Sequence, residues 1–260
     1  MNTTQKVIKT FAICLAALII LSIINGVAHL VTSAFSFNND VNINETYNSD
    51  INNIKIDVGT TNMVIKYGDT FSITAENVSK EFKIKEEGNT LVIKEKNITI
   101  FGNKKSSHTT ITIPNDLNNL SIDIGAGKLE LSDITSNNFS LNQGAGKVVI
   151  TNLISNNTTI DGGAGELHIT SSKLQNLELD IGAGKCYYNG ILLGNNKIDQ
   201  GVGELILDLQ NDDYKFKVEK GLGSITVNGN SYSEDFEVGE GTNIIDIDGG
   251  VGSIIINTNK

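Results

Sequence analysis

A Gly-x-Gly phrase returns at a nearly fixed interval along the second half of the chain. Its first glycine recurs at 19-residue steps four times, then after 20 and finally after 29 residues. A period of about 20 residues is the signature of a stacked repeat architecture. We therefore expect one structural coil per phrase, with the glycines as structural turn residues. These glycines are Gly125, Gly127, Gly144, Gly146, Gly163, Gly165, Gly182, Gly184, Gly201, Gly203, Gly221, Gly223, Gly250 and Gly252.

Alternating apolar residues flank each phrase. In the first copy, Leu120 and Ile122 precede the glycines, and Leu129 and Leu131 follow them. A period of two indicates a strand with one buried face. Each repeat is therefore predicted to hold two short strands joined by a glycine bend. The residue between the glycines is Ala, Val or Leu, and we expect it to point inward as well.

A coil of about 19 residues supplies the long connection that parallel strands need. Stacked coils would lie about 4.8 Å apart and bury a continuous core that no single coil could bury. The prediction is an all-β fold, a single-stranded parallel β-solenoid of ~19-residue coils, preceded by one transmembrane helix. A β-sandwich of short strands is the alternative, and it explains the alternation but not the period.

The transmembrane prediction rests on residues 11–30, which carry no charge. At about 1.5 Å per residue, a helix of this length spans the ~30 Å core of a bilayer. Lys6 and Lys9 precede the run, and no lysine follows it until Lys55. This asymmetry places the N-terminus inside and the C-terminal domain outside the cell membrane. A cleaved signal peptide is the alternative, although its apolar core is usually only about 7–15 residues long.

Composition shifts divide the chain further. A polar insertion at 230–248 precedes the final repeat, and the last apolar strand at 254–256 needs something to cover its edge. The expected divisions are a cytoplasmic N-terminus and anchor at 1–34, a flexible tether at 35–52, irregular β rungs forming a cap at 53–115, and the regular Gly-x-Gly β-solenoid at 116–260.

The charge balance excludes one class of partner. The net charge is −10 and the chain has no arginine, so a basic patch for nucleic acid is not expected. Cys14 lies in the apolar run and Cys186 at an inward position of a strand, so they do not form a disulfide pattern. We expect Cys186 to be a small apolar core residue and predict no cofactor. His168 and Tyr187 are expected to face outward, and Tyr188 inward.

An acidic residue recurs two positions before the first glycine. Period two turns this position outward, so the stack predicts a ladder of carboxylates. The hypothesis for this ladder is a Ca²⁺ site, because Ca²⁺ takes several oxygen ligands. The alternative is that these side chains accept backbone N–H bonds near the bend. The Ca²⁺ candidates are Asp123, Asp161, Asp180 and Asp199.

We do not expect an enzyme. A polysaccharide-cutting β-helix remains an alternative, but a glycosidase needs two carboxylates about 5–10 Å apart with divergent pKa values. The acids of this sequence form a regular series instead of one irregular cluster.

The stretch from Ile111 to Asn228 opens with Ile-Thr-Ile-Pro and continues with Asp-x-Gly-Ala-Gly-Lys-Leu-x-Leu units. It resembles the bacterial "putative adhesin" β-strand-repeat family, a domain of unknown function, and the resemblance covers about 53–257. That resemblance implies an envelope-associated protein with a single N-terminal span and an outside repeat domain. The expected function is a non-catalytic scaffold, adhesion or protein-interaction module whose partner is an envelope protein or the cell wall. An accessory component of an envelope-stress sensing system is the alternative.

Overall fold

The computed structural model describes residues 41–47, 50–95 and 106–259. These residues are all-β, as predicted, and form a single sheet that does not close on itself. Within these ranges, no helix is long and apolar enough to cross a membrane. The predicted span at 11–30 lies outside the described residues. The strands are β1 Val41–Thr46, β2 Asn53–Tyr67, β3 Ser72–Val78, β4 Phe82–Glu87, β5 Thr90–Glu95, β6 His108–Ile113, β7 Leu117–Gln175, β8 Leu177–Leu193, β9 Asn195–Leu209, β10 Tyr214–Glu219, β11 Leu222–Val227, β12 Asn230–Tyr232, β13 Phe236–Val238 and β14 Asn243–Thr258.

The repeats stack as parallel strands in register, and we call this stack the ladder. Each rung consists of an approach strand, a bend and an exit strand, and we name it by the middle residue of its bend. Ala164 faces Ala183, and Ala183 faces Val202, so equivalent positions of neighbouring rungs lie side by side. In ladder order, the rungs are Thr60, Ala126, Ala145, Ala164, Ala183, Val202, Val251 and Leu222.

The core follows the alternation seen in the sequence. Ile122, Leu141, Ile160, Leu179 and Ile198 occupy the same approach position in successive rungs, and all are buried. The equivalent exit positions are also buried, so one apolar column of each strand faces the interior. This continuous column gives each rung the partner that it lacks by itself.

The middle residue of the bend faces solvent, so the expectation that it points inward was wrong. Ala145, Ala164 and Ala183 are exposed, and so is Val202, with 55% of its surface accessible. The interior of the corner is filled instead by the residue before the first glycine, such as the buried Ile181. The bend turns the chain around a corner, so alternation stops there and only this residue points inward.

The glycines are required because the bends of neighbouring rungs touch through their backbones. Gly165 has a φ of 144°, in a region that L side chains rarely adopt. A Cβ atom on Gly165 would also lie well within 3.0 Å of the carbonyl oxygen of Gly146 in the rung below. Both constraints repeat at Gly146, Gly184 and Gly203.

The last repeat is not the last rung, which corrects the expected order. Val251 of β14 pairs with Val202 of β9 on one side and with Leu222 of β11 on the other. The outer Leu222 rung therefore precedes the Val251 rung in the sequence, and β14 lies between the Leu222 and Val202 rungs. The approach and exit parts of β14 are both apolar at their inward positions, so a parallel neighbour on each side stabilises β14.

The first part of the predicted insertion at 230–248, which holds β12 and β13, covers the end of the ladder, whereas residues 243–248 belong to β14 inside the stack. β12 pairs antiparallel with β11, and β13 pairs antiparallel with β10. These two strands are three residues long and leave only a short free edge.

The opposite end is built in a similar way. β5 and β6 together lie against β2, and they are in turn covered by antiparallel partners, β4 and β3. β2 itself is an in-register rung of the ladder. Part of the expected tether at 35–52 is ordered, because β1 pairs antiparallel with β3.

An asparagine ladder holds the corner that leads into each approach strand. The amide of Asn138 donates to the side-chain oxygen of Asn119 at 2.8 Å, and Asn157 donates to Asn138 at 2.9 Å. Asn176 extends the series by donating to Asn157 at 3.4 Å. Stacked side-chain amides of this kind link each chain segment to those above and below.

The bend geometry predicts that Gly165→Ala is strongly destabilising. The substitution combines an unfavourable φ with a clash against the carbonyl of Gly146, so we expect the free energy of unfolding to fall by about 3 kcal/mol or more. Urea denaturation followed by circular dichroism measures this loss. Ala164→Ser, at the exposed neighbouring position, should change stability little, and equal losses for the two variants would contradict this account of the bend.

The asparagine ladder predicts a graded effect. Asn138→Ala removes three inter-rung bonds of the Asn138 side chain, to the side chains of Asn119 and Asn157 and to the backbone oxygen of Asn118. We therefore expect a loss of about 1–3 kcal/mol in urea denaturation. Asn137 accepts one bond, from Asn156 at 2.9 Å, at an exposed position. Asn137→Ala should therefore cost less, and a loss as large as that of Asn138→Ala would show that these bonds do not hold the corner.

Candidate functional surface

The acidic positions form one continuous column on the outer face of the approach strands. Asp180 faces Asp161 and Asp199 in the neighbouring rungs, and Asp199 faces Asp248. Asn142 takes the place of an acid in the Ala145 rung. We call this series the acid column, and it runs Asp57, Asp123, Asn142, Asp161, Asp180, Asp199, Asp248 and Glu219.

The calcium candidates Asp123, Asp161, Asp180 and Asp199 all lie in the acid column, one to a rung. Neighbouring carboxylates are therefore spaced by about 4.8 Å between strands. Calcium takes about six to eight oxygen ligands at roughly 2.3–2.6 Å. Across the described ranges, no group of three or more His, Cys, Asp or Glu side chains is placed to hold a metal ion. The Ca²⁺ interpretation stays a prediction.

One acid of the column has a cationic partner. Lys197 approaches Asp199 at 2.7 Å, and the hydrogen bond to this carboxylate raises the pKa of Lys197. Both groups remain largely exposed, so the pair adds little to stability.

The outer face of the exit strands carries a second charged column, whose sign alternates from Lys147 to Glu204. Lys147 pairs with Glu166 at 2.8 Å, and Lys185 pairs with Glu204 at 2.9 Å. The hydrogen bond from Lys147 lowers the pKa of Glu166, and the bond to Glu204 raises the pKa of Lys185. This pairing of neighbouring rungs agrees with the sequence pattern of Lys and Glu after the glycines.

Beside these charges lies a strip of apolar and aromatic side chains that face outward and are only half-buried. His168 and Tyr187 pack at 6.1 Å between ring centroids, and Tyr187 faces Ile206 in the next rung. A hydrogen bond to Asp208 raises the pKa of the Tyr187 phenol. We call this row the contact strip; its members are Val149, His168, Tyr187, Ile206 and Ile255.

The bends add a second apolar feature. The exposed middle residues are alanines in four consecutive rungs and become large in the three rungs at the far end. Val202, Val251 and Leu222 expose 55%, 41% and 59% of their surface and lie side by side in register. We call the whole row of middle residues the bend ridge.

The contact strip was missed by sequence reasoning. Tyr187 was expected to face outward as an individual residue, and the structure places it so, with Tyr188 buried. The signal was present, because the residue five positions after the first glycine is Val, Tyr or Ile in four of the seven repeats. The inward positions define the repeat, so this outward column does not stand out in the sequence pattern.

Three buried polar groups serve the core. The hydroxyl of Tyr188 donates to the backbone oxygen of Ile191 at 2.8 Å, and the backbone N–H of Leu192 donates to the hydroxyl of Tyr214 at 3.2 Å. Cys186 is buried between rungs, and burial raises the pKa of its thiol to about 12. Each of these groups is enclosed by the interior and lies away from the outer faces.

Residues 51–243 match the model of the Toastrack DUF4097 family, so the chain belongs to this family. The match covers most of the ladder, from β2 to the start of β14.

Solved structures that match this chain come from Bacteroides, Clostridium and Parabacteroides species and carry provisional names. A "putative adhesin" from Bacteroides fragilis shares 16% identity over 83% of this chain and 97% of its own, with a TM-score of 0.47. A "putative cell adhesion protein" from Clostridium sporogenes shares 19% identity over 85% of this chain and 100% of its own, with a TM-score of 0.33. A "putative lipid binding protein" from Parabacteroides distasonis shares 16% identity over 84% and 97%, with a TM-score of 0.32. Curated proteins gave no significant match to this sequence.

The buried thiol predicts that Cys186 is inert in the folded protein. Because the pKa of its thiol is raised to about 12, almost no thiolate forms at pH 8, and access is blocked as well. In a Cys14→Ser background, we expect iodoacetamide to label Cys186 only after urea unfolding. Labelling of the folded chain at a comparable rate would show that this part of the core opens readily.

Proposed function

We propose that this chain is a membrane-anchored, extracytoplasmic β-solenoid that acts as a non-catalytic interaction module of the bacterial envelope, in adhesion or as a scaffold. The observation that carries the proposal is the apolar surface of the exit side. The contact strip and the large residues of the bend ridge leave apolar side chains partly uncovered beside columns of charged and polar residues.

Uncovered apolar surface of this kind favours contact with another macromolecule. Contiguous exposed apolar patches with a polar border mark interaction sites on soluble domains. The contact strip is bordered by Lys and Glu on one side and by Thr, Asn and Asp on the other. This arrangement resembles the apolar centre and polar rim of a protein interface.

The stacked architecture suits such a role. A solenoid presents the same residue position once in every rung, so its binding surfaces are long and regular. The in-register backbone contacts at the bends keep the columns aligned. A rigid surface of this kind loses little conformational entropy when it binds.

The arrangement of acids supports a non-catalytic role. The acid column lies on an outer face with one carboxylate in most rungs. A hydrolytic pair needs two carboxylates whose surroundings drive their pKa values apart. The names of the structural neighbours also refer to adhesion and to lipid binding, and not to catalysis.

The membrane placement is tested by chymotrypsin treatment of intact cells. Phe35 and Phe37 lie between the proposed anchor at 11–30 and the first strand, β1. We expect release of one stable fragment of about 220 residues that carries the ladder, because the enzyme reaches these sites from outside.

The control for this experiment is the double variant Phe35→Ala, Phe37→Ala, which should release little fragment under the same conditions. Cleavage that occurs only after lysis would place the ladder inside the cell and overturn the proposal.

A further inference from the structure

We propose that the exit face of the ladder, which is the outer side of the exit strands together with the bend ridge, binds a second copy of this chain. The two ladders run antiparallel, about a two-fold axis midway between the Ala164 and Ala183 rungs. This inference rests on the proposed interaction function and names the partner. The axis lies along the strand direction, so each outward column of one copy meets the same column of the other in reversed rung order. The proposal follows from three columns of the exit face, which are the bend ridge, the charged column and the contact strip.

The bend ridge is complementary in size. Reversal about this axis places the large residues of one copy on the small residues of the other. Val251 meets Ala126, Val202 meets Ala145, and Leu222 meets Thr60. The two central rungs set Ala164 against Ala183, where the copies approach most closely. The change from small to large residues along the ridge therefore matches what a reversed copy requires.

The charged column is complementary in sign. Lys147 of one copy meets Glu204 of the other, and Glu166 meets Lys185. Symmetry repeats both contacts, so four opposite-charge pairs form between the copies. Within one copy these same residues already pair between rungs, so the dimer joins them into a continuous network.

Other orientations form fewer opposite-charge pairs. An axis through the Ala183 rung would set Lys185 against Lys185. A parallel arrangement about the contact strip would set Glu204 against Asp208, and it would form no opposite-charge pair at the other four charged positions of the column. Like charges placed face to face at an interface are costly, so charge selects the antiparallel arrangement.

The contact strip supplies the apolar centre. In the reversed arrangement His168 meets Tyr187, and Val149 meets Ile206. At each end of the strip Ile255 meets Glu130, which occupies this position in the Ala126 rung. The Tyr187 ring already packs beside His168 within one copy, so a cluster of four rings forms on the axis. Aromatic side chains in the centre of an interface contribute strongly to affinity.

The area is large enough for a specific dimer. Eight rungs at about 4.8 Å and an exit strand of about 20 Å give roughly 750 Å² per copy. Specific interfaces bury about 800 Å² per partner. The exit face is therefore of the standard size when its whole length is used, as this axis requires.

Cross-linking between single-cysteine variants tests the arrangement. The full chain is prepared in detergent in a Cys14→Ser background, and native Cys186 is buried. Val251→Cys is mixed with Ala126→Cys and treated with a short bis-maleimide. We expect a covalent dimer from the mixture, several-fold more abundant than from either variant alone. Within one chain the two positions are five rungs, about 24 Å, apart, so no intramolecular link competes.

The matched control is Val251→Cys mixed with Ala183→Cys, an exposed bend position three rungs, about 14 Å, from the expected contact. Dimer from this mixture in equal or greater amount would overturn the proposed register. Dimer from Val251→Cys alone in equal or greater amount would place the same rung of both copies face to face and overturn the proposed axis. Absence of dimer from every mixture would exclude a second copy as the partner, whereas the chymotrypsin result would still report separately on the proposed envelope function.

Discussion

The backbone contact between successive Gly-x-Gly bends is the constraint on which the rest of this structure depends. At each bend the second glycine lies directly over the carbonyl of its equivalent in the previous rung, and no Cβ fits between them. This contact leaves little freedom to slip one rung past another. A slip by one residue would move every apolar side chain of a strand to the outer face. The bends and the apolar core therefore specify the same register.

A fixed register turns repetition in sequence into columns in space. The acid column, the alternating Lys and Glu residues and the contact strip are each one sequence position seen in successive rungs. A charged or apolar side chain that is isolated in a single rung becomes part of a continuous surface when its position is repeated. Differences among the repeats matter equally, because the change from Ala183 to Val202 and Leu222 distinguishes one end of the bend ridge from the other. This change in side-chain size makes the two directions along the bend ridge different.

The ends of the ladder show how a stack of parallel strands is terminated. At each end the outermost parallel layer is divided into two strands, β5 and β6 beyond the Thr60 rung, and β10 and β11 in the Leu222 rung. Antiparallel strands cover the free edges of these layers: β4 and β3 at one end, β13 and β12 at the other. Unprotected edges invite pairing with other chains. Short antiparallel strands end the hydrogen-bonded series, because they offer a partner on one side and only a few free groups on the other. The insertion of β14 beneath the outer rung belongs to the same solution, since it leaves the most apolar exit strand, Ile254 to Ile256, in the interior of the stack.

The sequence by itself determined the period, the all-β class, the inward columns and the acid column. These follow from local rules: alternation selects the buried face, and glycines at a fixed spacing mark the bends. Only the tertiary structure decided that the bend residues such as Val202 face outward, because alternation does not hold where the chain turns a corner. Tertiary structure also decided that the Val251 rung precedes the Leu222 rung in space, since the order of strands depends on which edges need covering and not on chain order. The contact strip became visible for the same reason: its members are 19 or more residues apart in sequence, and they become neighbours only through stacking.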